Sequence, residues 1–386
     1  AVYGGATFCS WYPITPSTSV AEGFEKYASK YRVDPQTGKN NYISVQAEDE
    51  LAAVGMAIGA NWNGARGFTA TSGPGISLMS EFLGLAYFAE VPLVIFNIQR
   101  GGPSTGMPTR TQQSDILSCA YASHGDTKHV LLFPEDPQEC FEFSAEAFNL
   151  AERLQTPVFV ISDLDIGMND WVTDKFEWDD EQKYDRGKVL KAEDLDKMDN
   201  FGRYLDVDDD GICYRTYPGT HPEKGAFFTR GTSHDEYARY TENGDINEQT
   251  LTRLVKKFRT ASELVPDPII NLSEKQGSSG VIFYGSTSAA MYEAKDILNE
   301  NNIEVDLMRI RSFPFNLDVW EFIENHDLIY VIEQNRDSQM RTLIMAEGGI
   351  SAEKLRSLVW FNGDPIQAKF IAKKIYERES QQALIT

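Results

Sequence analysis

The chain has 386 residues, of which 41% are hydrophobic and 12% aromatic, enough apolar material for two ordinary globular cores. Its formal net charge of -22 argues against a nucleic-acid-binding function, because phosphate binding depends on clustered lysine and arginine. The sequence contains no run of about 18 apolar residues to span a bilayer and no basic amino-terminal segment followed by an apolar one, so we predict an acidic cytoplasmic enzyme.

The first part of the chain alternates short apolar or β-branched runs with helical stretches rich in small residues. This pattern is typical of a parallel sheet covered by helices on both faces. Strands are predicted over residues 42–46, 67–71, 91–98, 129–133 and 157–162. Helices are predicted over residues 18–30, 48–61, 76–89 and 137–154. We assign these elements to one α/β domain, residues 1–172.

Residues 11–18, with the sequence WYPITPST, place two prolines and three small hydroxyl side chains before the first predicted helix. Pro16 fixes the backbone, and Ser17 or Thr18 can cap the helix. A rigid helix start is the simpler interpretation. Alternatively, Thr15 offers its hydroxyl and nearby backbone N–H groups to an anion at the amino terminus of the helix.

Residues 45–60 begin as a strand end, continue with three acidic residues and become a helix rich in alanine and glycine. Acids in a first turn usually complement the helix dipole, and this explains the first two. Glu50 differs because we predict a buried stripe of Leu51, Val54 and Ile58, with small residues leaving room for another backbone or a flat ring. A carboxyl group at such an interface would be desolvated and could share a proton with a ring nitrogen.

Two further motifs follow predicted strands. Residues 71–75, TSGPG, lie where open α/β sheets often bind ligands, although a tight turn for close helix packing explains them equally well. Residues 98–115 form a Gly- and Pro-rich loop that begins with Arg100. An arginine there can clamp a carboxylate through two parallel hydrogen bonds; a surface arginine or a salt bridge is the alternative. Arg110, in the same loop, is a second candidate.

Residues 173–264 show no sustained period, and we predict an irregular arm that packs on the first domain. Within it, residues 206–211 have the aspartate spacing of an EF-hand loop. Tyr217 stands where the last ligand, a glutamate, is required, so a tight acidic turn is the better interpretation. His234 lies beside two acids without a hydrolase or zinc spacing, which indicates a structural polar cluster.

A second alternating pattern follows the arm. Strands are predicted over residues 281–285, 305–310, 328–333 and 357–361, and helices over residues 289–301, 317–325, 340–347 and 366–378. We predict a smaller doubly wound domain over residues 265–386, with residues 333–337, EQNRD, as an interface loop. The four cysteines are widely spaced and form no Cys-x-x-Cys pair, so we expect no metal cluster in this chain.

Five of these segments, in this order, resemble landmarks of the alpha subunit of 2-oxoacid:ferredoxin oxidoreductases: YPITPS, EDELAA, TSGPG, QRGGPSTGMPTRTQQSD and EQN. The resemblance covers essentially the whole chain and favours the enzymes that act on 2-oxoglutarate. It implies an α/β fold of two doubly wound open-sheet domains joined by the arm. The first would be a thiamine-diphosphate pyrimidine-binding domain, and the second would resemble the transketolase carboxyl-terminal domain.

Carried over position by position, the resemblance implies a catalytic role for Glu50, which would bond to the aminopyrimidine ring of the cofactor. Thr15 and Arg100 would receive the carboxylate of the 2-oxoacid, and Arg110 is a conceivable partner for a distal carboxylate. The other expected cofactor contacts are Pro13, Ile14, Ser72 and Gly73.

The diphosphate and Mg²⁺ motif of the family, Gly-Asp-Gly with a later Asn, is absent from this sequence. The resemblance therefore implies a beta subunit that supplies the Mg²⁺ site and a 4Fe–4S cluster, within an (alpha-beta)2 hetero-oligomer. It also implies coenzyme A as co-substrate and ferredoxin as electron acceptor. The reaction would be oxidative decarboxylation of 2-oxoglutarate to succinyl-CoA and CO₂, or its reversal as in the reductive TCA cycle.

Several alternatives stay open at this point. Pyruvate, a branched-chain 2-oxoacid or an aromatic 2-oxoacid could be the substrate. The chain could also be a non-catalytic assembly subunit or a transketolase fragment, although a transketolase would need the diphosphate motif in the same polypeptide. Because the chain opens at Ala1 without a methionine, we expect an upstream segment, such as the gamma-type domain of the family.

Overall fold

The structure is a computed structural model that describes residues 1–273 and 279–383. Its strands are β1 (Phe8–Trp11), β2 (Ile43–Gln46), β3 (Gly67–Thr71), β4 (Leu93–Gln99), β5 (Val130–Leu132), β6 (Pro157–Asp163), β7 (Ile269–Asn271), β8 (Ser279–Tyr284), β9 (Asp306–Ile310), β10 (Ser312–Phe313), β11 (Leu328–Glu333) and β12 (Leu355–Val359). Its helices are α1 (Thr18–Tyr31), α2 (Glu50–Trp62), α3 (Gly73–Phe88), α4 (Ile116–Ala120), α5 (Pro137–Leu154), α6 (Leu164–Met168), α7 (Ala192–Asp196), α8 (Gly244–Ser262), α9 (Thr287–Glu300), α10 (Leu317–Glu324), α11 (Gln339–Gly348) and α12 (Ala368–Ala383).

Two open sheets organise the fold. The seven-stranded sheet has the order β10-β5-β6-β4-β3-β1-β2, and the five-stranded sheet has the order β12-β11-β8-β9-β7. Neighbouring strands are parallel except for the pairs β10 with β5 and β7 with β9. Every residue of β3 and β6 is buried, as expected for parallel strands with helices on both faces. The predicted α/β class with two doubly wound sheets is confirmed.

The two sheets are not separate bodies. Strand β10, which follows β9 of the five-stranded sheet, crosses to the edge of the seven-stranded sheet, where Ser312 lies opposite Leu132. One hydrophobic cluster contains buried residues of both sheets, including Phe133 and Tyr284, whose ring centroids are 5.3 Å apart. Strand β10, from beyond residue 264, thus completes the seven-stranded sheet. The domain boundaries at residues 172 and 264 stay a proposal.

All strands and helices predicted for the two α/β parts are found, most of them with shifted ends. The short elements β1, β7, β10, α4 and α6 were not predicted. The prediction of an irregular arm over residues 173–264 was wrong for its last part, which is the 19-residue helix α8. The buried positions of α8 are Leu254, Lys257 and Ala261. Few positions of this helix are buried and one of them is a lysine, which weakens the apolar period from which a helix is inferred.

Helix α8 is held by a buried cluster of charges. The carboxylate of Glu90 accepts hydrogen bonds from the Arg253 guanidinium at 3.0 and 2.5 Å and from Lys257 Nζ at 2.9 Å. Burial by itself would raise the pKa of Glu90, but attraction by Arg253 and Lys257 outweighs burial and holds that pKa well below its usual range. Glu90 therefore stays ionised, and the cluster ties the end of the arm to the chain segment after α3.

We expect Glu90→Gln to lower the free energy of unfolding at pH 7 by about 3–5 kcal/mol, because two buried cations lose their counter-charge. Since the pKa of Glu90 is depressed in the folded state, its contribution is present above about pH 4.3, the pKa of a free glutamate, and is lost only as the pH falls further. Urea unfolding at pH values from about 3 to 8, which span the pKa of a free glutamate, measures this loss of unfolding free energy.

Asp209→Asn provides the control for this experiment. Asp209 pairs with Lys256 on the surface, and exposed pairs of this kind contribute little. We expect this variant to unfold at the same urea concentration as the wild type. Equal stability of Glu90→Gln and the wild type at pH 7 would contradict the assigned role of the cluster.

Candidate functional site

The candidate site lies at the carboxyl edge of the seven-stranded sheet. Strands β4, β3, β1 and β2 are neighbours there, and each is followed by one of the motifs that the sequence singles out. The carboxyl ends of parallel strands lie along the same edge, which is where ligands bind in open α/β sheets. Motifs that are far apart in sequence are therefore brought to one place.

Arg100 follows the last residue of β4 and is 8% exposed. Its Nη1 donates a hydrogen bond to the carbonyl oxygen of Thr15 at 2.7 Å, which brings together the two predicted carboxylate ligands. Among the described residues its Nε has no hydrogen-bond partner, and its guanidinium forms no ion pair. A guanidinium has five N–H donors, so most of this buried cation is available to an anion.

The segment that carries Thr15 is shaped by its own hydroxyl groups. Thr18 Oγ1 accepts a hydrogen bond from the Ile14 N–H at 3.1 Å, and Ser17 Oγ donates to the Ile14 carbonyl at 3.1 Å. Ser17 occupies the amino-terminal cap of α1 but makes no side-chain cap bond, and the Thr18 hydroxyl bonds back to Ile14, so the predicted capping by Ser17 or Thr18 was wrong. The Ser17 hydroxyl is already used within the turn. Pro13 and Thr15 are exposed, and Ile14 is partly buried.

Glu50 is the first residue of α2 and is 6% exposed. Among the described residues, its carboxylate has no hydrogen bond and no ion pair. The preceding residue, Asp49, caps the helix by accepting a hydrogen bond from the Ala52 N–H at 2.6 Å. The cap is therefore satisfied without Glu50, and the buried carboxylate of Glu50 is available to a ligand.

The surroundings of α2 differ in part from the prediction. Val54 and Ile58 are buried as predicted, but Leu51 is 40% exposed. The alanines at positions 53 and 57 complete the buried face instead, because α2 packs closely on its neighbours through small side chains. The space beside Gly55 is filled by the ring of Phe82, 3.3 Å from the position of an added Cβ.

A cavity of about 520 Å³ opens beside Arg100. Its wall combines the start of α3 with Gly73, the loop after β4 with Arg100 and Asp115, and the loop after β11 with Asn335 and Arg336. The cavity is therefore lined by elements of both sheets. Ser72 precedes α3, and its buried Oγ has no hydrogen-bond partner among the described residues.

Asp115 gives the cavity an acidic group. Burial raises its pKa to about 6, although a hydrogen bond from Asn97 Nδ2 at 3.1 Å and attraction by Arg100 both act to lower that pKa. Asp115 and Asn97 were not predicted as site residues. The sequence could have indicated Asp115, because it is an acid directly before a helix and it ends the loop that begins with Arg100.

Other predicted residues lie elsewhere. The side chain of Arg110 is 58% exposed and pairs with Asp364 at 3.1 Å, outside the cavity that Arg100 lines. Thr15 lines a second cavity of about 780 Å³, on the side of the sheet where α1 and α5 pack. Glu50 lines neither cavity; it lies behind Gly75, whose added Cβ would be 2.9 Å from Glu50 Cγ.

Two predictions about the arm agree with the structure. The Asp206 carboxylate accepts hydrogen bonds from the backbone N–H groups of Asp210 at 3.2 Å and Gly211 at 3.0 Å, which confirms a tight acidic turn. His234 is buried against Tyr204, with ring centroids 3.8 Å apart, as a structural residue would be.

Within residues 1–273 and 279–383, no group of three or more His, Cys, Asp and Glu is placed to hold a metal ion. The same ranges contain no helix that is long and apolar enough to cross a membrane.

The chain is similar in sequence to known proteins. The family model described as pyruvate flavodoxin/ferredoxin oxidoreductase, thiamine diphosphate-binding, matches residues 1–260. The chain is 36% identical over 374 residues to the alpha subunit of 2-oxoacid:ferredoxin oxidoreductase 1 from Sulfurisphaera tokodaii, which covers 94% of this chain but only 57% of that relative. It is 36% identical over 331 residues to the 2-oxoglutarate synthase subunit KorA of Methanocaldococcus jannaschii, covering 83% and 81% of the two chains.

The chain is also similar to solved structures. A 2-oxoglutarate:ferredoxin oxidoreductase from Magnetococcus marinus, with 2-oxoglutarate, coenzyme A and succinyl-CoA bound, superposes with a TM-score of 0.83 at 29% identity, over 97% of this chain and 62% of that one. A split-gene transketolase superposes with a TM-score of 0.50 at 10% identity, which is a likeness of fold alone.

The contact between α3 and Glu50 can be tested by adding one methyl group. In Gly75→Ala the new Cβ would lie 1.9 Å from Thr71 Oγ1 and 2.9 Å from Glu50 Cγ, so these buried side chains or α3 must shift. We expect a loss of about 1–3 kcal/mol of unfolding free energy, typical of overpacking. Urea unfolding measures it. Gly59→Ala is the matched control, because its added Cβ meets no atom within 4 Å. A loss of the same size in both variants would contradict the close approach.

Proposed function

This chain belongs to the pyruvate flavodoxin/ferredoxin oxidoreductase family, and from that membership we propose that it is the alpha subunit of a thiamine-diphosphate-dependent 2-oxoglutarate:ferredoxin oxidoreductase. The enzyme would convert 2-oxoglutarate and coenzyme A into succinyl-CoA and CO₂ and pass electrons to ferredoxin, or catalyse the reverse reaction. The choice of 2-oxoglutarate is supported by the names of relatives, namely the KorA subunits and the Magnetococcus marinus enzyme.

The observation that carries the proposal is the buried guanidinium of Arg100 with unused donors. An unpaired buried charge is costly, and it is tolerated where a ligand supplies the opposite charge. Arginine binds a carboxylate through two parallel N–H···O bonds. The Thr15 carbonyl accepts a hydrogen bond from this guanidinium at 2.7 Å, so the exposed Thr15 residue lies beside Arg100. We assign Arg100 and Thr15 to the carboxylate next to the keto group of the substrate.

The residues fit the expected cofactor. Glu50 is a buried carboxylate with no partner among the described residues, as required of a group that shares a proton with a ring nitrogen of the aminopyrimidine. When bound, thiamine diphosphate supplies the chemistry that breaks the bond between the keto carbon and the carboxylate. Glu50 would hold the proton at the ring, and the further contacts would come from Pro13, Ile14, Ser72 and Gly73.

A partner subunit completes the proposal. Relatives carry the name subunit alpha, and the sequence lacks the Gly-Asp-Gly motif for diphosphate and Mg²⁺. We assign that motif and the 4Fe–4S cluster to a beta subunit in an (alpha-beta)2 assembly in the cytoplasm. Ferredoxins are generally acidic, and a chain with a net charge of -22 would repel them. Ferredoxin is therefore assigned to the beta subunit.

Arg110 would serve a distal carboxylate only after leaving Asp364, with which it pairs on the surface. Surface pairs of this kind are weak, so such a rearrangement has a small cost. Pyruvate has no distal carboxylate, and the family description names pyruvate. Measuring activity with both pyruvate and 2-oxoglutarate distinguishes between these two substrates.

The decisive experiment reconstitutes the chain with its beta subunit and measures acyl-CoA formation from a panel of 2-oxoacids with a low-potential acceptor. We expect 2-oxoglutarate to be the preferred substrate and Glu50→Gln to lower kcat by about 100-fold or more, since general acid–base groups contribute factors of this size. Glu48→Gln is the matched control, because Glu48 is exposed and lies two residues before α2. Preference for pyruvate would reject the substrate assignment, and full activity of Glu50→Gln would leave a non-catalytic assembly role.

Arg100→Lys tests the carboxylate clamp. Lysine keeps the charge but cannot form the bidentate contact, so we expect a loss of about 2–4 kcal/mol in transition-state stabilisation. That corresponds to a kcat/KM for the 2-oxoacid lower by roughly 30-fold to almost 1,000-fold. Steady-state kinetics measures it. Arg230→Lys, at an exposed position of the arm, should behave as the wild type; wild-type kinetics for Arg100→Lys would remove Arg100 from the site.

A further inference from the structure

Gln113 lies in the loop after β4, is 1% exposed, and uses all of its polar groups. Its side-chain oxygen accepts a hydrogen bond from the Gln334 N–H at 3.1 Å, and its Nε2 donates to the Tyr284 carbonyl at 3.2 Å. Its backbone N–H donates to the Gln334 carbonyl at 2.8 Å, and its carbonyl accepts from Asn335 Nδ2 at 3.0 Å. All of these partners belong to the carboxyl ends of β8 and β11, so Gln113 joins the loop to the five-stranded sheet.

The neighbours of Gln113 are held from the same side. The Thr111 N–H donates to the Gly363 carbonyl at 3.1 Å. Gln339 Nε2 donates to the Ser114 carbonyl at 2.6 Å, and its Oε1 accepts from the Leu117 N–H at 3.2 Å. We call residues 110–115 the return segment, because here the loop comes back to the sheet edge from which it left. The five-stranded sheet therefore binds the backbone of the return segment at several points.

The return segment in turn holds the backbone after Arg100 and the side chain of the residue before it. The Gly101 N–H donates to the Arg110 carbonyl at 2.9 Å. The Gly102 N–H donates to Gln112 Oε1 at 3.1 Å. On the other side of Arg100, Gln99 Oε1 accepts from the Asp115 N–H at 3.0 Å.

The guanidinium of Arg100 itself makes a single hydrogen bond among the described residues, to the Thr15 carbonyl. Its position therefore depends on this contact and on the backbone from which the side chain projects. We propose that Gln113 is a positioning residue through which the five-stranded sheet, acting on the return segment, orients Arg100 toward the substrate carboxylate without touching the substrate. This inference rests on the proposed function, in which Arg100 binds that carboxylate, and it gives the second sheet a role in substrate binding.

Gln113→Met tests the inference in the assembled complex, because methionine is similar in volume and lacks the polar groups. We expect the KM for 2-oxoglutarate to rise about tenfold or more, while the KM for coenzyme A and the subunit assembly stay unchanged. In an Arg100→Lys background the same substitution should change KM less than about twofold, because two residues that act through one contact are not additive. Gln249→Met, at an exposed position of α8, is the matched control.

Hydrogen exchange supplies a readout that does not depend on turnover. Peptides that cover residues 99–103 should exchange faster in Gln113→Met than in the wild type, since their backbone partners are released. If Gln113→Met fails to fold, Gln339→Met releases the neighbouring contacts and is measured in the same way.

Each outcome decides the inference. It is overturned if Gln113→Met raises both KM values equally, if its effect is the same in the wild-type and Arg100→Lys backgrounds, or if exchange over residues 99–103 is unchanged. Absence of turnover with any 2-oxoacid in the wild-type complex would reject the proposed function, whereas the exchange result would still decide whether the second sheet orders the loop.

Discussion

The geometry of the candidate site depends on one contact, the buried hydrogen-bond set in which Gln113 joins the carboxyl ends of the two sheets. A buried polar group without a partner costs free energy, so a residue whose donors and acceptors are all used can occupy only one arrangement. Gln113 meets the Tyr284 carbonyl and the Gln334 backbone at once. The loop that begins with Arg100 is consequently fixed at both ends, one by β4 and the other by the second sheet. The 520 Å³ cavity exists because these two edges face each other.

The buried arginines fall into two groups, those with a carboxylate partner and those without one. Arg309, which is fully buried at the junction of the sheets, pairs with Glu135 at 3.0 Å and Glu139 at 2.7 Å. Arg253 is likewise matched by Glu90. These pairs fasten one element to another, and each buried cation in them has its anion within the chain. Arg100, Arg66 and Arg203 are buried without an ion pair among the described residues, and of these three Arg100 lines the 520 Å³ cavity. Asp115 attracts Arg100 but does not form an ion pair with it. A buried arginine that lines a cavity and lacks an ion pair is the feature expected of a ligand-binding arginine.

The chain is 29% identical to the solved Magnetococcus marinus enzyme and superposes with a TM-score of 0.83, so the fold is retained at low sequence identity. The transketolase likeness, at 10% identity, reflects the doubly wound architecture alone. A fold of this kind supports many activities, so function must be argued from the site. Here the site is built from strand-end residues, which parallel sheets bring together irrespective of the sequence in their helices. The chain spans 57% of the length of the Sulfurisphaera tokodaii relative. The activity, substrate and partners of the whole enzyme are therefore proposals for this chain.

The sequence by itself determined the α/β class, most elements of the two α/β parts and the motifs that follow β3 and β4, because buried strands and amphipathic helices leave local patterns of apolar residues. It missed short elements such as β1 and β10, which have four and two residues. It failed for α8, where Lys257 takes a buried position that only the carboxylate of Glu90 makes tolerable. Only the tertiary structure decided that Arg100 meets the Thr15 carbonyl, that Arg110 turns away to Asp364, and that Gln113 binds Gln334, 221 residues later. The physical reason is that local periodicity records whether a side chain is buried, whereas the identity of a hydrogen-bond partner is set by which chain segments the sheets bring together.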